Sequence, residues 1–255
     1  MLPRVASPSS IDAPPASPER ESPRTRAVSA DEKAARRDTI LDAAERLMRT
    51  SPEGIGLMAD VANLAGVAKG TVYLYFPSKE SLMLALHERH VQAFFTALIA
   101  RLDEKQRMTL DDMLALTNTH IVGHPTYMPC ASVCFGSMEH SMPPDEIQAH
   151  MLQVTDWMTR SARGLFRHFN LSNELEAVAL LRRSYALLVG LWQLLKPEAQ
   201  ARVAANSHAA IVFRAEYAHE VNAGLRALWA GTLKTRALAR TSAPAPSKPS
   251  RKRSA

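Results

Sequence analysis

The sequence predicts an all-α fold, and three observations carry that expectation. From about residue 31 to residue 238 the chain is rich in Ala, Leu, Met and Val, with almost no period-two alternation of β-branched residues. Helix-start signals recur, with Ser29 placed before Glu32 and Asn173 before Glu176 at capping-box spacing. The helix breakers sit mostly elsewhere: Pro and Ser, with Arg and Lys, crowd residues 1–30 and 241–255, and both ends are expected to be disordered.

The first helix is expected from near Ser29 to Thr50, with Ile40, Leu41, Ala44, Leu47 and Met48 as its apolar stripe. Arg36 and Arg37 near its start are within reach of a phosphate or simply solvated. Ser51-Pro52-Glu53-Gly54 reads as a turn. A short helix then puts Val61 and Ala62 on its apolar face and ends at Gly66, a residue free to adopt positive φ. A second short helix is expected from about Ala68 to Tyr75, with Val67 and Val72 facing in. The small Ala62 lets the two cross closely, as a helix-turn-helix requires. Lys69, Thr71, Tyr73 and Tyr75 are left facing outward. They offer a cation, a hydroxyl and two phenols to phosphates or base edges, and Gly70 removes a side chain where a backbone must approach closely. A plain surface turn is the alternative. Against it stand Phe76 and Pro77, which stop the helix, Ser78, which can cap the next one, and Lys79 at its start.

With its centre Ala65-Gly66-Val67-Ala68-Lys69-Gly70-Thr71-Val72-Tyr73-Leu74-Tyr75-Phe76-Pro77-Ser78-Lys79-Glu80, the stretch Leu57 to Glu88 resembles the DNA-binding domain of the TetR family of bacterial transcriptional regulators. The likeness extends back through Lys33 to Arg49. It implies an N-terminal three-helix helix-turn-helix domain over 31–77 and a connecting helix over 78–103 whose rotation moves the recognition helix. A helical ligand-binding and dimerisation domain over 104–238 would follow, between a disordered arm over 1–30 and a disordered basic tail over 239–255. Two positions depart from the family pattern, which places Thr or Ser ahead of each short helix to cap it and touch a phosphate. This chain has Leu57 and Ala68 there. A lost hydroxyl cap costs about 1 kcal/mol of helix stability.

The second domain carries no motif, but it has content. Seven of the eleven methionines fall between Met108 and Met158, and flexible thioethers suit either ordinary core filling or a site for varied apolar ligands. Met113 to Met138 contains no Asp, Glu, Lys or Arg. Asn118, His120, His124, Pro125 and Pro129 interrupt it, so buried helices are expected rather than a membrane span. An effector pocket is expected among Met113, Leu116, His120, Tyr127, Cys134, Met138, Trp157 and Tyr185. His120 falls on the face of Met113 and Leu116 by helical spacing, and the phenols and indoles offer polar handles. Cys130 and Cys134 are the only cysteines. They read as two buried thiols, with a redox or metal sensor drawing on His120, His124 or His140 as the alternative.

Asn173 to Leu195 is expected to be a helix with two apolar stripes. One is Val178, Leu181, Tyr185, Leu188 and Trp192; the other is Leu180, Leu187, Leu191 and Leu194. A last helix from about Ala204 to Leu238 carries Phe213, Tyr217, Val221, Leu225 and Leu228. One stripe faces the chain's own core and the other a second subunit, with Leu187, Leu191, Phe213, Tyr217 and Val221 as interface candidates. Two such helices per chain would make a four-helix dimer interface like the family's.

The net charge of +6 is localised: Lys234 to Ala255 holds seven basic residues and no acidic one, leaving the rest of the chain at −1. That tail either attracts a polyanion in a salt-sensitive way or only solubilises. No apolar run follows Arg4, so a cytoplasmic location is expected. No Ser/His/Asp set, phosphate loop or paired carboxylate has recognisable local context, which disfavours an enzyme. No cofactor, metal or membrane partner is expected. The reading that results is a homodimeric repressor whose Lys69, Gly70, Thr71, Tyr73, Tyr75 and Lys79 meet a double-stranded DNA operator. Release follows when a small apolar or amphipathic effector binds the second domain. A helical interaction scaffold is the reading from another class, and it leaves Gly66 to Lys79 unexplained.

Overall fold

The computed structural model describes residues 23–50, 56, 58–141 and 143–242, and side chains from residue 30 onward except 135–142, 198 and 235–242. The ends of the chain, the turn at Ser51 to Gly54, and Leu57 lie outside the described residues. No strand occurs among those described. The helices are α1 (Pro23–Thr50), α2 (Met58–Ala65), α3 (Lys69–Tyr75), α4 (Lys79–Asp103), α5 (Leu110–Thr117), α6 (Tyr127–Ser141), α7 (Pro144–Phe169), α8 (Glu174–Leu195), α9 (Pro197–Ala201), α10 (Ala210–Phe213) and α11 (Tyr217–Ser242). A π-helical turn, Asn118–Val122, follows α5 directly.

The chain divides after Thr39. The first unit is the N-terminal part of α1, where Arg36 is exposed and Arg37 half-buried. Helix α1 begins at Pro23, ahead of Ser29, so the Ser29/Glu32 pair lies inside a helix rather than at its start. A helix once nucleated runs through a residue that merely permits a cap.

From Ile40 onward two main cores form, and Leu84 and Cys134 make a small third cluster. In the smaller main core, Ile40, Leu41, Ala43 and Ala44 of α1 meet Met58, Val61 and Ala62 of α2, Val72 of α3, and Leu82, Met83, Ala85 and Leu86 of α4. Phe76 seals it at 2% exposure. Helix α4 starts as the sequence predicts: Ser81 N–H donates to Ser78 Oγ at 3.0 Å. Its far half enters the larger core with Val91, Phe94, Phe95, Leu98 and Leu102, which pack with residues of α5 to α8 and α11. Helix α4 is therefore common to both cores. Cys130 of α6 lies in the smaller core as well, and donates to Met48 Sδ at 3.6 Å.

Two local expectations are corrected. The helix expected from Ala204 to Leu238 is broken into α10 and α11, because Arg214 leaves helical backbone and Glu216 restarts the helix. Its carboxylate accepts the N–H groups of Ala218 at 3.1 Å and His219 at 2.6 Å, satisfying orphan donors of the first turn. The π-turn after α5 is the second correction. Its wider turn shifts the helical phase, so His120 does not continue the face of Met113.

Helix α8, with the residues to Ala201, is long and apolar enough to cross a membrane by length and composition. Its Ala177, Leu180, Leu181, Ser184, Leu188 and Leu195 are buried inside the protein, and its other residues are half-buried or exposed.

Candidate nucleic-acid interface and internal cavity

Helices α2 and α3 are joined by a Schellman turn. Gly66 has φ of +67°, Val67 N–H reaches Ala62 C=O at 3.0 Å, and Gly66 N–H reaches Asn63 C=O at 3.2 Å. Ala68 is the N-cap of α3 and makes no side-chain capping bond, as expected where the hydroxyl is missing. Val72 is fully buried and Val67 half-buried, which fixes how α3 is rotated. Of the residues expected to meet DNA, Lys69, Gly70 and Tyr73 are exposed, while Thr71, Tyr75 and Lys79 are half-buried. The Lys69 ammonium lies 5.8 Å from the Tyr73 ring centre, so the two form one surface. A Cβ on Gly70 would meet no protein atom within 4 Å. Nothing among the described residues therefore requires a glycine there.

Sequence reasoning missed Leu74. It is 81% exposed, near the end of a helix whose Val72 is buried. The signal was its position one residue beyond Tyr73, and apolarity alone assigned it to no face.

The larger domain encloses a cavity of about 250 Å³. Of the residues expected in an effector pocket, Met113, Tyr127, Cys134 and Tyr185 line this cavity. Leu116, His120 and Trp157 do not line it; Leu116 packs on the core, the π-turn turns His120 away, and Trp157 stacks on Phe95 with ring centres 5.9 Å apart. The side chain of Met138 lies outside those described. The sequence reading missed the contribution of α4, which puts His87, Val91, Phe94 and Phe95 on the wall. His87 Nε2 and Tyr185 Oη share a hydrogen bond of 3.1 Å, and His87 Nδ1 is buried without a partner among the described residues. Burial, then the neighbouring His150, hold the His87 ring at a pKa of about 3, so it is neutral.

Between the two cores, Glu45 of α1 collects charges. It pairs with Arg89 at 2.5 Å, Arg49 at 3.1 Å and His124 Nε2 at 3.5 Å. Thr126 Oγ1 bridges His90 Nε2 at 3.0 Å and His124 Nδ1 at 3.3 Å. Burial, then His124, lower His90 to about 4, and burial lowers His124. Glu45, His90 and His124 bring donor atoms suited to zinc within 4.8 Å of one another. Two guanidinium groups already neutralise that carboxylate, which weakens the site's hold on a cation.

Cys130 and Cys134 are buried free thiols. Burial pushes Cys130 far above its ordinary value and Cys134 up to about 12. Thiolate is the reactive and metal-binding form, so this surrounding disfavours the sensor reading.

The five dimer candidates divide. Val221 is fully buried in its own chain and is withdrawn as a contact. Tyr217 O–H donates to Leu188 C=O at 3.1 Å and its ring meets Trp192, so much of it is used internally. Leu187 lies on Gly224, where a Cβ would come within 2.9 Å of its Cδ2. Leu191 and Phe213 are half-buried. The sequence reading passed over Leu175, Ile211 and Val212 and left Leu194 out of the candidates, yet all four are exposed, from 45% for Leu194 to 78% for Leu175.

Comparison with known proteins agrees with this two-part geometry. Residues 40–86 match the family described as bacterial regulatory proteins, tetR family, and residues 88–236 match the tetracyclin repressor-like C-terminal domain. A fatty acid metabolism regulator protein of Bacillus subtilis is 34% identical over 79 residues, 30% of this chain and 39% of that protein. An uncharacterised HTH-type transcriptional regulator of Mycobacterium tuberculosis is 32% identical over 83 residues, 32% of this chain and 41% of its own length. The chain thus spans about two-fifths of the length of the curated relatives it matches. The second-domain match alone covers more than half of the chain, and with the reading head in front of it the conclusion is that the chain belongs to the TetR family of DNA-binding transcriptional regulators, which are not enzymes.

Proposed function

We propose that the protein is a homodimeric repressor released from its operator by a small apolar or amphipathic effector. The observation that carries the DNA half is the exposed row Lys69, Gly70, Tyr73 and Leu74 on a short helix held by the Schellman turn. Lys69, Thr71 and Tyr73 are placed to touch bases, and Tyr75 and Lys79 to position the head on phosphates. Leu74 adds an apolar surface suited to a thymine methyl. In a dimer the two α3 helices would enter major grooves about 34 Å apart.

The effector half rests on the cavity and on what borders it. Ile121 and Tyr127 line the cavity, and the segment between them holds His124 and Thr126, which meet Glu45 and His90. A ligand that moves that segment therefore disturbs the contact with α1 as well. It shifts occupancy only through its differential affinity for the two arrangements, and about 5.5 kcal/mol inverts a 99:1 population.

Selection of bound sequences from a random duplex pool, with Tyr73→Ala as control, tests the first half. A near-palindrome that disappears in the variant supports it, whereas binding that is only salt-sensitive and sequence-independent refutes it. Titrating apolar and amphipathic compounds against the operator complex tests the second half, and no release by any of them refutes it.

A further inference from the structure

The wall of the cavity is chemically one-sided. Among the described residues no Asp or Glu lines it, and Arg182 is the one of them there with a permanent charge. The other polar groups are largely occupied: Thr117 O–H donates to Met113 C=O at 2.9 Å, Ser184 O–H to Leu180 C=O at 2.9 Å, and Trp229 Nε1–H to Ser184 Oγ at 3.0 Å. His150 Nδ1 meets Glu88 at 2.8 Å. Among the described residues Arg182 has no carboxylate within 4.0 Å.

Position matters as much as charge. Most lining residues are buried, but Met151 and Arg182 are exposed, so they mark where the cavity opens, between α7 and α8. A ligand seated here has an apolar body inside and a head group beside a guanidinium. A cationic head is repelled, and a neutral one forgoes the charge-assisted hydrogen bonds that Arg offers a carboxylate. The volume lies below the usual range of about 300–1,000 Å³, which favours a short body over a long one.

The geometry points to a medium-chain monocarboxylate as the ligand, its chain in the cavity and its carboxylate on Arg182. This rests on the reading of the cavity as the effector site, and the test is built so that the two fail separately. Binding of octanoate, decanoate, hexadecanoate and decanol to the full-length protein is measured without DNA, by calorimetry and by fluorescence of Trp229, which lines the cavity. Octanoate or decanoate binds best, and Arg182→Gln weakens it about tenfold while leaving decanol unchanged. Met151→Glu, which places a carboxylate at the opening, weakens the acids and spares decanol. Equal binding of decanol and decanoate, indifference to Arg182→Gln, or tighter binding of hexadecanoate or of decanoyl-coenzyme A overturns the proposal. If the acids bind as expected but release no operator, the ligand class stands and the effector reading falls.

Discussion

The reading head and the larger domain use their apolar residues in opposite ways. In the head, Val61, Val72 and Phe76 are buried in a small core, and the groups proposed to meet DNA are those left over on the surface of α3. In the larger domain the proposed working surface is internal, a space that Phe94, Met113, Leu188 and their neighbours leave unfilled. A surface needs one helix of known rotation, whereas a cavity needs side chains from six helices to converge.

The largest expected effect attacks the head alone. Phe76→Ala removes a ring that is 2% exposed and costs about 3–5 kcal/mol. All three tryptophans, Trp157, Trp192 and Trp229, lie in the larger domain. Operator binding is lost while the thermal midpoint by tryptophan fluorescence holds; a midpoint that falls in step makes the two regions one cooperative unit.

Acid attacks the other side of the comparison. His87 and His90 are held at about 3 and about 4 against an ordinary 6.5, so in that window the unfolded chain binds more protons than the folded one. Their contribution to stability is complete above pH 6.5 and is lost as pH falls toward 4, by an amount on the order of a few kcal/mol. Urea midpoints at neutral pH and at pH 5 check this, and a double variant His87→Phe, His90→Phe flattens the difference.

Two glycines give a matched pair. At Gly164 a Cβ would come within 2.7 Å of the Leu102 Cβ, so Gly164→Ala overpacks the larger core and costs about 1–3 kcal/mol in a denaturant titration. At Gly70 a Cβ meets nothing, so Gly70→Ala stabilises the fold by up to about 0.5–1 kcal/mol. It nevertheless weakens operator binding, if the backbone there approaches DNA. The smallest effect is a gain: Ala68→Ser supplies the absent cap of α3 and adds about 1 kcal/mol. Tighter operator binding in the same variant gives that hydroxyl a phosphate contact as well.

This contrast also governs what was legible in the sequence. The turn at Gly66, the inward Val72 and the cap at Ser78 follow from local chemistry, since each depends on residues within a few positions. The cavity wall followed only in part. Tyr127 and Tyr185 were reachable as polar handles in an apolar stretch, but His120 was misplaced by a π-turn that no periodicity announces. His87 was passed over because α4 was read as a connector, although Leu82 to Leu86 and Val91 to Leu98 show that it is a core helix along its length. Val221 illustrates the limit for interfaces: an apolar stripe does not say which of two partners covers it.

One consequence of that shared helix is mechanical. Its 25 residues make a rod about 37 Å long, so a tilt of about 5° at the cavity end sweeps the other end through about 3 Å. In a two-fold assembly the displacement doubles, approaching a fifth of the pitch of a DNA duplex. On the proposed reading of a dimeric repressor, the cavity need only breathe for the heads to lose step with the groove.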